Sequence, residues 1–375
     1  MRREFLPFHV PEIAAEEIRA VERAMRSRWI TMGPKVREFE ERFAAYIGAR
    51  EAVSVNSGTA ALHLALQAAG VRPGDDVIVP TMTFCATAAA ALYLGARPVL
   101  VDCQQHSMNI DPDEVARLMT KRVKALVPVH VGGLPCEMEM LLEIANARGV
   151  KVVEDAAHAL PSRYRGKMIG VLGDMTCFSF YATKTITTGD GGMVTTENGE
   201  YADVIRTTRL HGMTRDAWKR YARDSAWYYE ISCLGYKYNM TDIAASIGIE
   251  QLKKCDGMWR ARERIARLYD EGLRELEQIR RPTSPANVQH AWHLYVIQLD
   301  LDALRIGRDE FIEMLRKEKI GTSVHFMPLH LHPYYRQSFG YQPEDFANAM
   351  AVYERIVSLP IYPRMTDEDV RDVIN

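Results

Sequence analysis

The sequence lacks the cysteine and histidine patterns of disulfide-bonded and zinc-binding proteins. Its six cysteines lie far apart, with no C-x-x-C pair and no histidine at the spacing of a zinc site. Scattered cysteines of this kind are typical of small buried apolar residues in a reducing compartment. We therefore expect no structural disulfide and no bound metal.

The sequence also lacks a long hydrophobic run and an excess of charge of one sign. No stretch of about 18 apolar residues occurs, and the opening MRREFLPFHV has no apolar core of a signal peptide. The 47 lysines and arginines are interleaved with 49 aspartates and glutamates, which gives a net charge of -2. This balance argues against a nucleic-acid-binding or polybasic membrane surface. We expect a soluble, cytoplasmic protein that binds neither nucleic acid nor membrane.

Two nucleotide-binding signatures are missing as well. No G-x-G-x-x-G opens the first strand–helix unit, and no G-x-x-x-x-G-K-[ST] occurs. A nicotinamide-dependent dehydrogenase and a P-loop nucleotide hydrolase are therefore disfavoured. A metal hydrolase is disfavoured because histidines and carboxylates do not cluster.

The sequence does contain an alternation of short apolar strands and helices between residues 51 and 196. The chain of 375 residues, 47% of them hydrophobic, is long enough for a large core and for two domains. Apolar strands separated by helices predict an α/β fold with a mostly parallel sheet covered on both faces. The predicted strands are 51–55, 77–80, 98–102, 125–130, 151–156, 176–180 and 192–196.

The remainder of the chain predicts a smaller α+β domain. We expect a long helix-rich segment at 243–277, strands at 292–299 and 323–326, and helices at 308–319, at 347–357 and from about residue 366. The predicted boundary separates a large domain, 1–250 with the N-terminal arm included, from a small domain, 251–375.

Candidate chemistry lies at the ends of predicted strands, where ligands collect in open α/β sheets. Residues 56–62 (NSGTAAL) lead from a strand directly into a helix, and Gly58 permits a tight turn. The free N–H groups of the helix start and the hydroxyls of Ser57 and Thr59 suit a phosphate. The alternative is an ordinary helix N-cap.

Residues 152–158 (VVEDAAH) deliver Asp155 and His158 to the end of an apolar strand. A carboxylate there can pair with a protonated pyridine nitrogen and hold the ring cationic, so that it acts as an electron sink. Alternatively, Asp155 caps a helix and His158 is a hydrogen-bonded core residue.

Residues 178–184 (FSFYATK) place Lys184 just past a strand of aromatic and small residues. A lysine at such a semi-buried position loses hydration, and its pKa falls as an amine nucleophile requires. Most lysines, by contrast, are solvated surface residues. Ser179 and Thr183 are candidate phosphate hydroxyls, and Phe84 is suited to stack on a flat ring unless it only packs in the core.

The segments SGTAALHLAL, VPTMTF, VVEDAAHA, FSFYATKTITTGDGGMVTT, GYKYNMTDIAAS and HAWHLYVI carry a family resemblance. Over residues 28–363 the chain resembles the DegT/DnrJ/EryC1/StrS family of sugar aminotransferases. The resemblance implies a fold-type I pyridoxal-phosphate enzyme that works as a homodimer with its sites at the subunit interface.

The resemblance also implies roles for individual residues. Lys184 matches the lysine that carries the cofactor as a Schiff base, Asp155 the partner of the pyridine nitrogen, and His158 the neighbour of the phenolic oxygen. Some relatives carry a histidine in place of the lysine and run dehydrations, so the lysine favours transamination. The remaining cofactor contacts implied are the ring-stacking Phe84 and, around the phosphate, Ser57, Gly58, Thr59 and Ser179.

One segment departs from the family pattern. Many members read G-x-N-x-R-[ML] where residues 235–240 read GYKYNM. The usual asparagine reaches the phosphate of the partner subunit's cofactor. Here Lys237 takes that place and is able to pair with a phosphate as a point charge, while Asn239 offers an amide. The sequence leaves both options open.

The GYKYN variant, the opening EFLPF, the HAWHLYVI strand and residues 320–335 (IGTSVHFMPLHLHPYY) look most like enzymes that aminate C4 of a UDP-linked 4-keto sugar, such as those making UDP-4-amino-4-deoxy-arabinose. The family implies L-glutamate as the amino donor. Perosamine synthases and bacillosamine-type aminotransferases are similar, so a GDP- or dTDP-keto sugar stays open, as does a cyclitol. Another lysine-bearing pyridoxal-phosphate enzyme, such as a desulfurase or lyase, is a further alternative. A non-catalytic regulator is disfavoured because the chain has no spare basic segment. Candidate contacts for the sugar and the pyrophosphate are Arg28, Trp29, Thr31 and Lys35 in an N-terminal loop, with His325 and His330. The alternative for these residues is local packing and surface charge.

Overall fold

The computed structural model describes residues 2, 4–214 and 229–375. Within these residues thirteen strands are defined: β1 (Glu51–Val55), β2 (Asp76–Pro80), β3 (Arg97–Val101), β4 (Val123–Leu126), β5 (Lys151–Asp155), β6 (Arg163–Tyr164), β7 (Lys167–Met168), β8 (Met175–Ser179), β9 (Gly192–Thr196), β10 (Ile279–Arg280), β11 (Val288–Gln289), β12 (Tyr295–Leu299) and β13 (Ile356–Leu359).

The α-helices of the described residues are α1 (Ala15–Arg26), α2 (Pro34–Ile47), α3 (Gly58–Ala68), α4 (Ala86–Tyr93), α5 (Pro112–Leu118), α6 (Met138–Asn146), α7 (Gly199–Thr208), α8 (Asp242–Gly272), α9 (Arg308–Lys317), α10 (Pro333–Phe339), α11 (Ala347–Tyr353) and α12 (Asp367–Ile374). None of these helices is long and apolar enough to cross a membrane.

The main sheet has seven strands in the order β1-β9-β8-β5-β4-β2-β3. Six strands run in one direction, and β9 is antiparallel to both of its neighbours, β1 and β8. The strands of this sheet are almost entirely buried because helices cover both faces, as continuous apolar runs require. This is the mostly parallel mixed α/β sheet of fold type I, as predicted.

A second, antiparallel sheet of order β10-β12-β13 forms the core of the C-terminal part. The later half of α8 packs against it through Ile265 and Tyr269, which lie in one apolar cluster with Tyr295 and Val357. Helix α8 runs without interruption across residue 250, and the division of the chain at that residue stays a prediction.

The structure corrects several predicted elements. The helix expected at 347–357 ends at Tyr353, and the next residues form β13 because Ile356–Leu359 pairs with β12. The strand expected at 323–326 is reduced to one bridge between Ser323 and Ser358. The N-terminal region expected to be a loop contains α1 and α2, so Lys35 lies in the first turn of a helix.

Candidate active site

A cavity of about 480 Å³ opens at the carboxyl ends of the parallel strands. It lies where β1, β5 and β8 end, the position at which open α/β sheets bind ligands. Ten of the residues predicted from the sequence line it: Ser57, Gly58, Thr59, Phe84, Asp155, His158, Ser179, Thr183, Lys184 and His325. The fold thus brings together the predicted phosphate-binding residues Ser57, Gly58, Thr59 and Ser179 (the phosphate cup), the aromatic ring, the carboxylate and the lysine.

Lys184 follows β8 in a turn closed by its own N–H, which donates to the Tyr181 carbonyl at 2.9 Å. Desolvation lowers the pKa of Lys184 from 10.5 to about 8, and the negative charge of Asp155 partly opposes this shift. A substantial fraction of the amine is therefore neutral near physiological pH, as a nucleophile or proton acceptor needs to be.

Asp155 is the last residue of β5, and its side chain is buried in the cavity wall. Its Oδ2 accepts a hydrogen bond from Thr87 Oγ1 at 2.8 Å, and its Oδ1 accepts one from the Ala157 N–H at 3.1 Å. Burial raises the pKa of the Asp155 carboxyl, while these two hydrogen bonds and the charge of Lys184 act in the opposite direction. The group is thus held in a fixed orientation, able to pair with a cationic ring nitrogen.

His158 lines the same cavity and packs against two other rings. Its ring centroid is 4.3 Å from that of His293 and 5.8 Å from that of Phe326. Burial lowers the pKa of His158 well below its ordinary value, so the imidazole is neutral. Because Nδ1 accepts the Gly132 N–H at 3.2 Å, the proton of the neutral ring is on Nε2, which is a hydrogen-bond donor.

The predicted phosphate cup lies where the start of α3 meets the end of β8 and the start of β9. The Ser57 hydroxyl caps α3 by accepting the Ala60 N–H at 3.1 Å. A Cβ on Gly58 would lie 2.9 Å from the Ser179 Cβ, and one on Gly192 would lie 2.4 Å from the Ser57 carbonyl oxygen. The helix start therefore opens onto a tight, positively polarised concavity that suits a phosphate.

Phe84 stands at the opening of the cavity, with 59% of its surface exposed. Its ring centroid is 6.2 Å from that of Phe326, whose ring stacks on His158. An apolar ring left open to water beside a binding cavity is available to stack on a flat ligand.

Several lining residues were not predicted from the sequence. Phe8 and His9 arrive on an N-terminal segment that is hydrogen-bonded through Leu6 to Lys319 and Gly321. The ring of Phe8 stacks on His325 with centroids 5.3 Å apart. No local pattern could have shown this, because the contacting segments lie at opposite ends of the chain.

The predicted substrate contacts do not all reach this cavity. His325 lines it and bonds to Ser358 Oγ through Nδ1 at 2.9 Å. His330 does not: its side chain is fully buried, bonds through Nδ1 to Thr81 Oγ1 at 2.7 Å and stacks on Phe346. This buried position corrects the prediction that His330 contacts the substrate. The hydrogen bond to Thr81 and the packing on Phe346 give its side chain a role in the core.

The N-terminal candidates lie outside the lining of the cavity within the same chain. Trp29 Nε1 donates to the Met32 carbonyl, Lys35 Nζ bonds to Glu38, and Arg28 and Thr31 are exposed in the segment between α1 and α2. Lys237 and Asn239 also lie outside it, and Lys237 Nζ donates to Asn239 Oδ1.

Comparison with known proteins agrees with the family resemblance found in the sequence. The profile of the DegT/DnrJ/EryC1/StrS aminotransferase family matches residues 11–375. The chain is 49% identical over 374 residues to the spore coat polysaccharide biosynthesis protein SpsC of Bacillus subtilis, covering 100% of this chain and 96% of the relative.

Two solved structures share the whole fold. Spr1654 of Streptococcus pneumoniae, solved in a PLP-form and a PMP-form, has a TM-score of 0.92 in the latter at 34% identity, covering 98% of this chain and 97% of the other. The sugar aminotransferase CalS13 of Micromonospora echinospora has a TM-score of 0.88 at 28% identity, covering 98% of each chain.

The fold, the lysine-bearing cavity and these relatives define a pyridoxal-phosphate-dependent aminotransferase that acts on sugars. The chain belongs to the DegT/DnrJ/EryC1/StrS aminotransferase family. The residues present fit pyridoxal phosphate. The cavity offers the Lys184 amine with a lowered pKa, the buried Asp155 carboxylate, and the start of α3 at Gly58.

Proposed function

We propose that the chain transfers an amino group from L-glutamate to a keto-sugar carried on a nucleotide, a UDP-linked 4-keto sugar. The observation that carries this proposal is the meeting of Lys184, Asp155 and His158 with the phosphate cup in one cavity. The product would be an amino sugar for surface polysaccharides or glycoconjugates, in line with the name of the relative SpsC.

In this proposal each residue acts on a defined atom. Pyridoxal phosphate supplies, when bound, an electron sink for the charge that develops at the substrate carbon. Lys184 Nζ would hold the cofactor covalently and, as a free amine, would take the proton from one carbon atom and return it to another. Asp155 would keep the ring nitrogen protonated, and His158 Nε2 would donate to the phenolic oxygen.

Other residues hold and orient the cofactor. The N–H groups at the start of α3, with the hydroxyls of Ser57, Thr59 and Ser179, bind its phosphate. Phe84 covers the face of the ring. Since these groups come from β1, β8 and the segment before α4, the rigid sheet sets their relative positions.

We further propose that the active unit is a homodimer. Lys237 is exposed, and Arg28 is exposed on the segment before α2, so both are accessible to a second copy of the chain. In the dimer they would supply positive charge to the partner's cofactor phosphate and to the pyrophosphate of the sugar nucleotide. A cytoplasmic location stays a prediction.

Replacement of Lys184 tests the proposed function. Lys184→Ala and Lys184→Arg should abolish both turnover and the visible absorbance of the lysine-bound cofactor. Lys253→Ala is the matched control, because Lys253 is an exposed lysine of α8 paired with Glu250. Full activity in either Lys184 variant would contradict the proposal.

A panel of substrates tests the acceptor and the donor. With L-glutamate present, UDP-4-keto sugars should be aminated faster than GDP- or dTDP-4-keto sugars and cyclitol ketones, as followed by mass spectrometry of the products. Preference for a GDP- or dTDP-linked sugar would overturn the assignment of UDP as the nucleotide. Preference for a cyclitol ketone would overturn the sugar-nucleotide class.

A further inference from the structure

Two threonine hydroxyls form a buried chain that ends on Asp155. Thr83 Oγ1 lies 2.8 Å from Thr87 Oγ1, which lies 2.8 Å from Asp155 Oδ2. The exposed fractions of Thr83, Thr87 and Asp155 are 2%, 0% and 5%, so bulk water cannot replace these bonds. Thr83 precedes α4 and Thr87 lies in its first turn, in the same segment that presents Phe84.

The chemistry of the groups fixes the direction of both hydrogen bonds. An ionised carboxylate only accepts, so Thr87 must donate to Asp155. A hydroxyl has a single proton, so the Thr87 oxygen must in turn accept the proton of Thr83. Both hydroxyl protons therefore point toward the carboxylate, and each bond polarises the next.

Few other groups stabilise the charge of this carboxylate. The Ala157 N–H holds Oδ1, and the titratable groups that act on Asp155 are Lys184 and His130. The buried Cys177 thiol on the neighbouring strand β8 is uncharged, since burial raises its pKa. Thr87 is thus the side chain that donates a hydrogen bond to this carboxylate.

We propose that Thr87, with Thr83 as its own donor, is a positioning residue that keeps Asp155 ionised and aimed at the ring nitrogen of the cofactor. The inference rests on the proposed role of Asp155. The segment that contains Thr83, Phe84 and Thr87 would then do two things: Phe84 covers the face of the ring, and the two threonines keep the Asp155 carboxylate charged opposite the ring nitrogen. Thr87 contacts neither cofactor nor substrate in this arrangement and acts through Asp155.

The test compares Thr87→Val, which keeps the shape and removes the hydroxyl, with Thr87→Ser, which keeps the hydroxyl. Each protein is loaded with pyridoxal phosphate labelled with ¹⁵N at the ring nitrogen, and the ¹⁵N shift is followed against pH. Wild type and Thr87→Ser should show a protonated nitrogen, and Thr87→Val a shift toward the neutral form. The cofactor dissociation constant of Thr87→Val should rise about tenfold, the loss expected for a hydrogen bond to a charged group.

A purely structural role of Thr87 would leave the ¹⁵N shift unchanged, and that result would overturn the inference. If Thr87→Val does not fold, Thr83→Val carries the test, because Thr87 then loses the donor that polarises it. A shift in the same direction but smaller supports the chain, and no shift contradicts it. Asp155→Asn separates the two proposals: if its ring nitrogen stays protonated, the assigned role of Asp155 fails, whatever Thr87 does.

Discussion

At the scale of single residues, the chemistry of the site depends on how strongly burial desolvates the Lys184 amine. Only a neutral amine attacks an aldehyde, and desolvation lowers the pKa of Lys184 to about 8. At pH 7 about one-tenth of the amine is then neutral, against fewer than about one in a thousand for an exposed lysine. The rate of cofactor incorporation into the apo protein should therefore rise with pH and be half-maximal near pH 8.

Stopped-flow absorbance after mixing apo protein with pyridoxal phosphate measures this profile. Asp155→Asn provides an internal comparison, because the Asp155 charge raises the pKa of Lys184. Removing that charge should lower the pKa further and move the profile to lower pH. A midpoint above pH 10, the value of an exposed lysine, would show that Lys184 is hydrated in the apo protein.

At the scale of secondary-structure elements, the phosphate cup depends on how closely β9 approaches the start of α3. A methyl group at Gly192 would lie 2.4 Å from the Ser57 carbonyl oxygen, so the backbone before α3 would have to shift. Gly192→Ala should lower stability by about 1–3 kcal/mol, as overpacking does, and weaken cofactor binding. Unfolding in denaturant and titration with cofactor measure the two effects.

Gly257 offers the matched control for that substitution. It lies on the exposed side of α8, and a Cβ there would have no atom within 4 Å. Gly257→Ala should raise the free energy of unfolding by up to about 1 kcal/mol, because alanine favours the helix, and leave cofactor binding unchanged. Equal cofactor affinity in the Gly192 and Gly257 variants would contradict this account of the cup.

The elements of the main sheet were predictable because their strands are short, apolar and buried on both faces. The same argument failed in the C-terminal part. Residues 356–359 (IVSL) continue an apolar pattern that suits a helix or a strand, and only the pairing with β12 decides for the strand. The strand predicted at 125–130 ends at Leu126, since Pro128 has no N–H to continue the ladder.

The candidate site was predictable where its residues follow strands, and not where they arrive from distant segments. Asp155 and Lys184 stand at the ends of β5 and β8, which are neighbours in the sheet, so local sequence placed them together. Phe8 and His293 have no such signal. Their position depends on how the N-terminal segment and the C-terminal part pack against the main sheet, which no periodicity encodes.

At the scale of the whole molecule, the single chain leaves large apolar side chains in water. Leu234 is 81% exposed, and Tyr93 is 61% exposed although its ring contacts His63. His63 also packs against Tyr236, so these exposed residues lie around the segment that contains Lys237. Exposed apolar groups beside a charged residue are typical of a protein–protein interface, which supports the proposed homodimer.

If Lys237 and Asn239 serve the partner's cofactor, two inactive variants should complement each other. One chain carries Lys184→Ala, and the other carries Lys237→Ala with Asn239→Ala. In the hybrid dimer the site of the first chain then combines Lys184→Ala with the substituted residues 237 and 239 of the second chain. The site of the second chain combines its own Lys184 with the unchanged residues 237 and 239 of the first chain, so it contains no defect. A hybrid purified through two different affinity tags should therefore recover about half of the activity of the wild-type dimer, since one of two symmetric sites is intact.

The control hybrid combines Lys184→Ala with Asp155→Ala. Both residues line the cavity of the same chain, so each of its two sites keeps one defect and the hybrid should be inactive. Activity in the first hybrid and none in the control would require residues 237 and 239 to act across the interface. If both hybrids are inactive, Lys237 and Asn239 act in the site of their own chain. The partner subunit would then not help to bind the cofactor phosphate.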